Sequence, residues 1–117
     1  MKKKKKILIV DDEKNTFMLL KKLLEQEFFI DYAHNGKEGL QLFMKNQYDI
    51  IITDNNMPVM SGMELIREIK KINTDLPIVL ITGDRFIIPE FDDVQILYKP
   101  FNMNTLKDLI IYILHSP

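Results

Sequence analysis

Ile50-Ile51-Ile52-Thr53-Asp54 is the stretch on which the fold of this chain turns. Consecutive β-branched residues have the stiffness and bulk of a strand buried on both faces, and the run is too short for a buried helix. A carboxylate follows at once, so Asp54 falls at the carboxyl end of that strand. The pattern recurs on either side. Ile7-Leu8-Ile9-Val10 runs into Asp11-Asp12, and Val94-Gln95-Ile96-Leu97-Tyr98 runs into Lys99-Pro100. In an open parallel sheet the carboxyl edge is where ligands bind, which makes these carboxylates and the lysine the first candidates for chemistry.

Between the apolar runs the hydrophobic period changes from that of strands to that of helices. A helix is expected from about Lys14, with Phe17, Leu20 and Leu24 on one face, then a strand from Phe28 to Ala33. Asn35-Gly36 signals a turn into a second helix with Leu40, Phe43 and Met44 on one side. The third strand reads as Asp49 to Thr53. Ser61 with Glu64 forms a capping-box pattern that opens a third helix burying Leu65, Ile66 and Ile69, with Pro77 as its limit. Ile78 to Thr82 is the fourth strand. Asn102 can cap a last helix carrying Leu106, Leu109, Ile110, Ile113 and Leu114 at helical spacing. Ile111 and Tyr112 extend its apolar surface, either as a broad core face or as an exposed patch for a partner. Strand and helix in alternation imply an α/β fold: a parallel sheet with right-handed crossovers and helices on both faces.

A chain of 117 residues that is 46% hydrophobic has room for one core, so residues 1–117 are read as a single domain. Sixteen basic residues against 17 acidic ones leave a net charge of -1, which points to no nucleic acid partner. The absence of cysteine excludes disulfides and thiolate metal sites and fits a cytoplasmic location. Lys2 to Lys6 precede too few apolar residues for an export signal and read as a solvated lead-in to the first strand. No apolar run reaches the roughly 20 residues of a membrane helix, so no membrane association is expected.

Asp11, Asp12 and Asp54 at one sheet edge crowd like charges, a cost that a bound cation would remove. Mg²⁺ meets the need as a hard ion held by one or two carboxylates beside a phosphate. The plainer alternative, in which a lone Asp caps the next helix, does not account for three acids together with Lys99. His34 and His115 stand apart from other potential ligands and receive no role.

These segments resemble the receiver domain of two-component response regulators: ILIVDDE at Ile7 to Glu13, DIIITDNNMPVMSGMEL at Asp49 to Leu65, PIVLITG at Pro77 to Gly83 and YKPF at Tyr98 to Phe101. The resemblance covers almost the whole chain. It implies a flavodoxin-like, doubly wound sheet of five parallel strands in order 2-1-3-4-5. It also implies that Asp54 is phosphorylated by a histidine kinase or histidine phosphotransfer protein in a Mg²⁺-dependent reaction. On the same grounds Asp11 and Asp12 hold the Mg²⁺ together with Asp54 and the Asn56 carbonyl. Lys99 neutralises phosphoryl charge, Thr82 is the switching hydroxyl, and the Lys99-Pro100 bond is cis. Asn56 and Asp84 occupy the positions that govern hydrolysis of the acyl phosphate, and they imply self-dephosphorylation and a comparatively short-lived phosphoryl state.

Two departures concern the output. The interval from Thr82 to Lys99 is several residues shorter than the family pattern and contains Pro89, so the fourth helix is expected to be shortened or irregular. Ile96 stands where the family often has a rotating aromatic residue, with Tyr98 on the same strand face. The leading expectation is a phosphoacceptor signalling domain, not an enzyme, that acts on a downstream protein target and is compatible with a homodimer. The alternatives are a receiver-like interaction module uncoupled from phosphorylation and a Mg²⁺-dependent phosphatase. Asn56, in place of a second acid, argues against the phosphatase, and no G-x-G-x-x-G follows the first strand to suggest a dinucleotide site.

Overall fold

The computed structural model describes residues 4–115. Five parallel strands, β1 (Lys5–Val10), β2 (Phe28–Ala33), β3 (Ile50–Asp54), β4 (Ile78–Thr82) and β5 (Gln95–Tyr98), form one sheet in the order β2-β1-β3-β4-β5. Four helices complete the chain: α1 (Lys14–Leu24), α2 (Gly36–Lys45), α3 (Gly62–Ile72) and α4 (Met103–His115). This is the expected flavodoxin-like topology. Lys2 and Lys3 of the lysine run lie outside the described residues.

Strand alternation builds two cores, one on each side of the sheet. Leu8, Val10, Ile51, Ile78 and Leu80 face one way and pack with Leu65, Ile66 and Ile69 of α3. Ile7, Ile9, Ile50, Ile52, Val79 and Ile81 face the other way against Leu20 and Leu24 of α1 and Leu106 and Ile110 of α4. Because β1, β3 and β4 are covered on both faces, their sequences are nearly continuous in aliphatic residues. The capping box at α3 forms as expected: Glu64 N–H donates to Ser61 Oγ at 3.1 Å, and Ser61 N–H donates to Glu64 Oε1 at 3.0 Å. Asn102 caps α4 through a 2.7 Å bond from Asn104 N–H.

Several boundaries and faces differ from expectation. β1 begins at Lys5, inside the lysine run read as a solvated lead-in, because Lys6 N–H is held by Asp49 Oδ2 at 2.7 Å, and β5 begins at Gln95, one residue after Val94. The third strand runs one residue further than read, so Asp54 is its last residue and pairs with Ile81 of β4. Met44, expected on the apolar side of α2, is 63% exposed. The inward arc of α2 is set by Gly36 and Gly39, both buried, and Val10 lies 3.0 Å from where a Gly39 Cβ would stand. Met44 falls past that arc in the last turn, beyond the cover of the sheet. Between β4 and β5 no helix forms at all. Ile87 and Phe91 from this segment pack on the α3 side of the core. Arg67 of α3 holds Glu90 through its Nε at 2.8 Å, and the buried Lys70 ammonium pairs with Asp93. Side chains and two ion pairs thus seal the face that a helix would cover.

The loop between β3 and α3 holds one strained residue. Val59 has φ of 72° and is 74% exposed. The left-handed region costs a β-branched residue about 1–2 kcal/mol, and an exposed side chain returns little through packing. Val59→Gly is expected to gain about 1 kcal/mol in urea unfolding with an unchanged m value. An unchanged or lower midpoint would show that the strain is offset elsewhere.

Candidate functional site

The parallel register aligns the strand ends. Val10 lies opposite both Ala33 and Thr53, Asp54 opposite Ile81, and Thr82 opposite Tyr98. The ladder continues one residue beyond the strands: Asp11 N–H donates to the Ala33 carbonyl at 3.0 Å, Asn55 N–H to Ile81 at 2.9 Å and Lys99 N–H to Thr82 at 2.8 Å. Backbone pairing therefore brings Asp11, Asp54, Thr82 and Lys99 to one edge, as the apolar runs implied.

Asp54 is 4% exposed, and the Lys99 ammonium lies 2.8 Å from its Oδ1. That contact has the separation of an ion pair without hydrogen-bond alignment, and Oδ1 has no hydrogen-bond donor. A buried carboxylate oxygen that has a neighbouring charge but no hydrogen-bond donor calls for an explanation, and a ligand at this edge would supply one. Burial pushes the Asp54 carboxyl above its ordinary range; Lys99 opposes this, Asp12 adds to it and the Asn56 backbone N–H opposes it again. Burial alone would lower the Lys99 ammonium, but Asp54, Asp11 and Glu13 together hold it above its usual value.

Asp11 is also 4% exposed, and one of its carboxylate oxygens accepts Glu13 N–H at 2.8 Å. Burial raises its pKa to about 6, against the Glu13 N–H and Lys99 and with support from Asp54 and Asp12. Asp12 is exposed, yet Asp11, Asp12 and Asp54 each offer an oxygen within 4.8 Å of the others. Three converging carboxylates, two of them buried and one with an oxygen that has only the Lys99 ammonium beside it and no hydrogen-bond donor, fit a hard divalent cation with oxygen ligands. Asn56 is exposed in the loop two residues after Asp54. Thr82 is fully buried, and its Oγ accepts Asp84 N–H at 3.0 Å, while Asp84 Oδ1 accepts Phe86 N–H at 2.9 Å. The Lys99-Pro100 bond is cis.

Sequence reasoning missed three contributors. Gly62 lets α3 approach so closely that a Cβ there would stand 2.4 Å from the Asp54 carbonyl. Tyr32 donates its hydroxyl to the Asp11 carbonyl at 2.7 Å. Arg85 sets its guanidinium 4.8 Å from the centre of the Tyr98 ring. Neither Tyr32 nor Arg85 breaks a sequence pattern, so only proximity could find them. A cavity of about 640 Å³ lies at the opposite edge among residues such as Phe43, Tyr48, Ile72 and Leu76, away from the acidic cluster. A shallower depression lined by Glu13, Thr16, Lys99, Phe101 and Met103 adjoins the site.

A two-sided parallel sheet whose carboxyl edge joins an acidic cluster to a buried, lysine-paired aspartate defines the class of phosphoacceptor signalling domains. The family model described as response regulator receiver domain matches residues 7–111, and the chain belongs to that family. It is 35% identical over 95 residues to the probable transcriptional regulator ycf29 of Porphyra purpurea, covering 75% of this chain and 46% of that protein. It is 34% identical over 89 residues to the response regulator ArlR of Staphylococcus saprophyticus, covering 72% and 40%. The chain thus spans less than half the length of these relatives. The solved response regulator TrrA of Thermotoga maritima, in complex with Mg²⁺-BeF, is 37% identical, with TM-score 0.83 over 93% of this chain and 98% of that one. Chemotaxis response regulator CheY4 of Vibrio cholerae is 28% identical, with TM-score 0.84 over 95% and 99%. Receiver domains are phosphorylated by histidine kinases and bind Mg²⁺ at an acidic pocket, and the aspartate cluster for such a pocket is present here. No helix among the described residues is long and apolar enough to cross a membrane.

Proposed function

We propose that residues 1–117 act as a receiver unit in which Asp54 takes a phosphoryl group from a phosphohistidine on a histidine kinase or histidine phosphotransfer protein. The observation that carries this reading is the buried Asp54 carboxylate, one oxygen lacking a hydrogen-bond donor and 2.8 Å from the Lys99 ammonium. An Asp54 oxygen attacks phosphorus in line, the bond to the histidine nitrogen breaks, and that nitrogen keeps the electron pair. The product is an acyl phosphate. Asp11, Asp12, Asp54 and the Asn56 carbonyl are the residues to hold Mg²⁺. Bound there, Mg²⁺ supplies positive charge to the transferring oxygens. Lys99 supplies a second positive charge on a flexible stem.

Thr82 gives the state a readout. Its hydroxyl, now accepting from Asp84 N–H, turns to donate to the phosphoryl group, which frees the Asp84 turn and shifts the helix-free segment toward Phe86. A downstream protein reads that shift, with no nucleic acid or membrane contact by this unit, in the cytoplasm; a homodimer is compatible with it. The Asn56 amide and the Asp84 carboxylate orient water for self-dephosphorylation and a comparatively short-lived phosphoryl state. Phosphorylation by acetyl phosphate, wild type against Asp54→Asn, is the test.

A further inference from the structure

Asp11 is anchored at three points. Its N–H is held by the Ala33 carbonyl at 3.0 Å and one carboxylate oxygen by Glu13 N–H at 2.8 Å. Both partners are main-chain groups that any sequence would supply. The third anchor, 2.7 Å from the Tyr32 hydroxyl to the Asp11 carbonyl, needs a tyrosine. Tyr32 sits next to the end of β2, opposite Ile9 of β1. Its ring is stacked on Phe17 of α1, with centroids 3.9 Å apart and planes inclined by 17°. The stack fixes the ring from the helix that begins three residues after Asp11, so β1, its turn, α1 and β2 close into one braced unit.

Asp12 depends most on this brace. It is exposed, and its side chain makes no hydrogen bond among the described residues, so the backbone leaving Asp11 sets the range its carboxylate can reach. Mg²⁺ tolerates little departure from octahedral geometry, and partners that orient ligands from behind are commonly worth 10- to 100-fold in metal affinity. We infer that Tyr32, braced by Phe17, is a positioning residue that holds the Asp11-Asp12 turn in the geometry a divalent cation requires. The inference rests on the Mg²⁺ reading of the acidic cluster and adds a residue outside the ligand set. Tyr32 acts through the Asp11 main chain alone, by its hydroxyl on the Asp11 carbonyl.

The test is calorimetric titration of wild type and Tyr32→Phe with MgCl₂, together with the Mg²⁺ dependence of labelling by acetyl phosphate. Tyr32→Phe keeps the ring and its stack and removes only the hydroxyl. Mg²⁺ binding is expected to weaken by about 10-fold, with the labelling rate at saturating Mg²⁺ within about twofold of wild type. A fold that was merely less stable would not produce that split while the protein stays folded, which circular dichroism checks. Affinity within twofold of wild type overturns the positioning role and leaves the Mg²⁺ reading intact. Absence of Mg²⁺ binding by wild type overturns both. Should Tyr32→Phe fail to fold, Phe17→Leu loosens the brace with the hydroxyl retained. Its Mg²⁺ affinity is expected to fall by less than the roughly 10-fold that follows loss of an orienting partner outright, and an unchanged value overturns the inference.

Discussion

Gly62→Ala is expected to cost at least about 3 kcal/mol, at the upper end of what an added methyl does in a packed interior. The Cβ would meet the Asp54 carbonyl at 2.4 Å, Leu80 Cδ1 at 2.8 Å and Asn55 Cα at 2.9 Å. Two of these are backbone atoms held by pairing with β4, so they cannot turn aside as a side-chain end would. The Gly62 backbone is tied to the same place, its N–H donating to the Asn55 carbonyl at 3.0 Å while Met63 N–H donates to Asn55 Oδ1 at 3.1 Å. Either α3 retreats, opening the core at Leu65, Ile66 and Ile69, or the end of β3 distorts at Asp54. Gly83→Ala is the control: a Cβ there meets nothing within 4 Å, and its stability should stay within about 0.5 kcal/mol of wild type. Urea unfolding measures both. A loss under 1 kcal/mol for Gly62→Ala would mean that α3 is not seated as described.

Asp11→Asn is expected to raise metal-free stability at pH 7.5 while abolishing stabilisation by Mg²⁺. The Asp11 carboxyl, pushed to about 6 by burial, binds its proton more tightly folded than unfolded, where 3.8 is the ordinary value. A raised carboxyl pKa contributes stability that is fully present below the unfolded value and is lost as pH rises through the folded one. Metal-free wild type should therefore lose stability from about pH 4 to just above pH 6, with the raised Asp54 carboxyl contributing in the same direction. Asparagine keeps an oxygen for Glu13 N–H and removes the charge, so the mutant should gain about 1–3 kcal/mol at pH 7.5 and nothing near pH 4. Mg²⁺ competes with the proton for wild type, so its stabilising effect should fade below about pH 6. Thermal melts at several pH values, with and without MgCl₂, measure these effects. A mutant less stable than metal-free wild type at pH 7.5, or still stabilised by Mg²⁺, would contradict the charge account.

The sheet and its chemical edge could be read from sequence for one reason. Buried parallel strands need unbroken apolar runs, so the charged residue ending each run marks the carboxyl edge. Asp11, Asp54 and Lys99 were visible in that way, and Ser61 with Glu64 marked the start of α3 by local hydrogen bonding alone. Met44 was misjudged because helical spacing gives a face but not how far along the helix the sheet extends. Tyr32 and Gly62 escaped because their roles arise from contacts between distant segments that leave no local period. The segment between Thr82 and β5 was readable only as too short and proline-interrupted for a regular helix. That Arg67 with Glu90 and Lys70 with Asp93 would close the gap depends on the packing of α3 against it.

Everything proposed for this edge depends on Asp54 being the phosphoacceptor in a Mg²⁺-dependent reaction. The most direct measurement is the intact mass of wild type and Asp54→Asn after incubation with acetyl phosphate, with and without MgCl₂. Wild type should gain one phosphoryl group only with Mg²⁺ and lose it after the donor is removed, and Asp54→Asn should gain none. Equal labelling of the mutant, or a folded wild type that takes no phosphoryl group from either acetyl phosphate or a phosphohistidine donor, would contradict that role for Asp54.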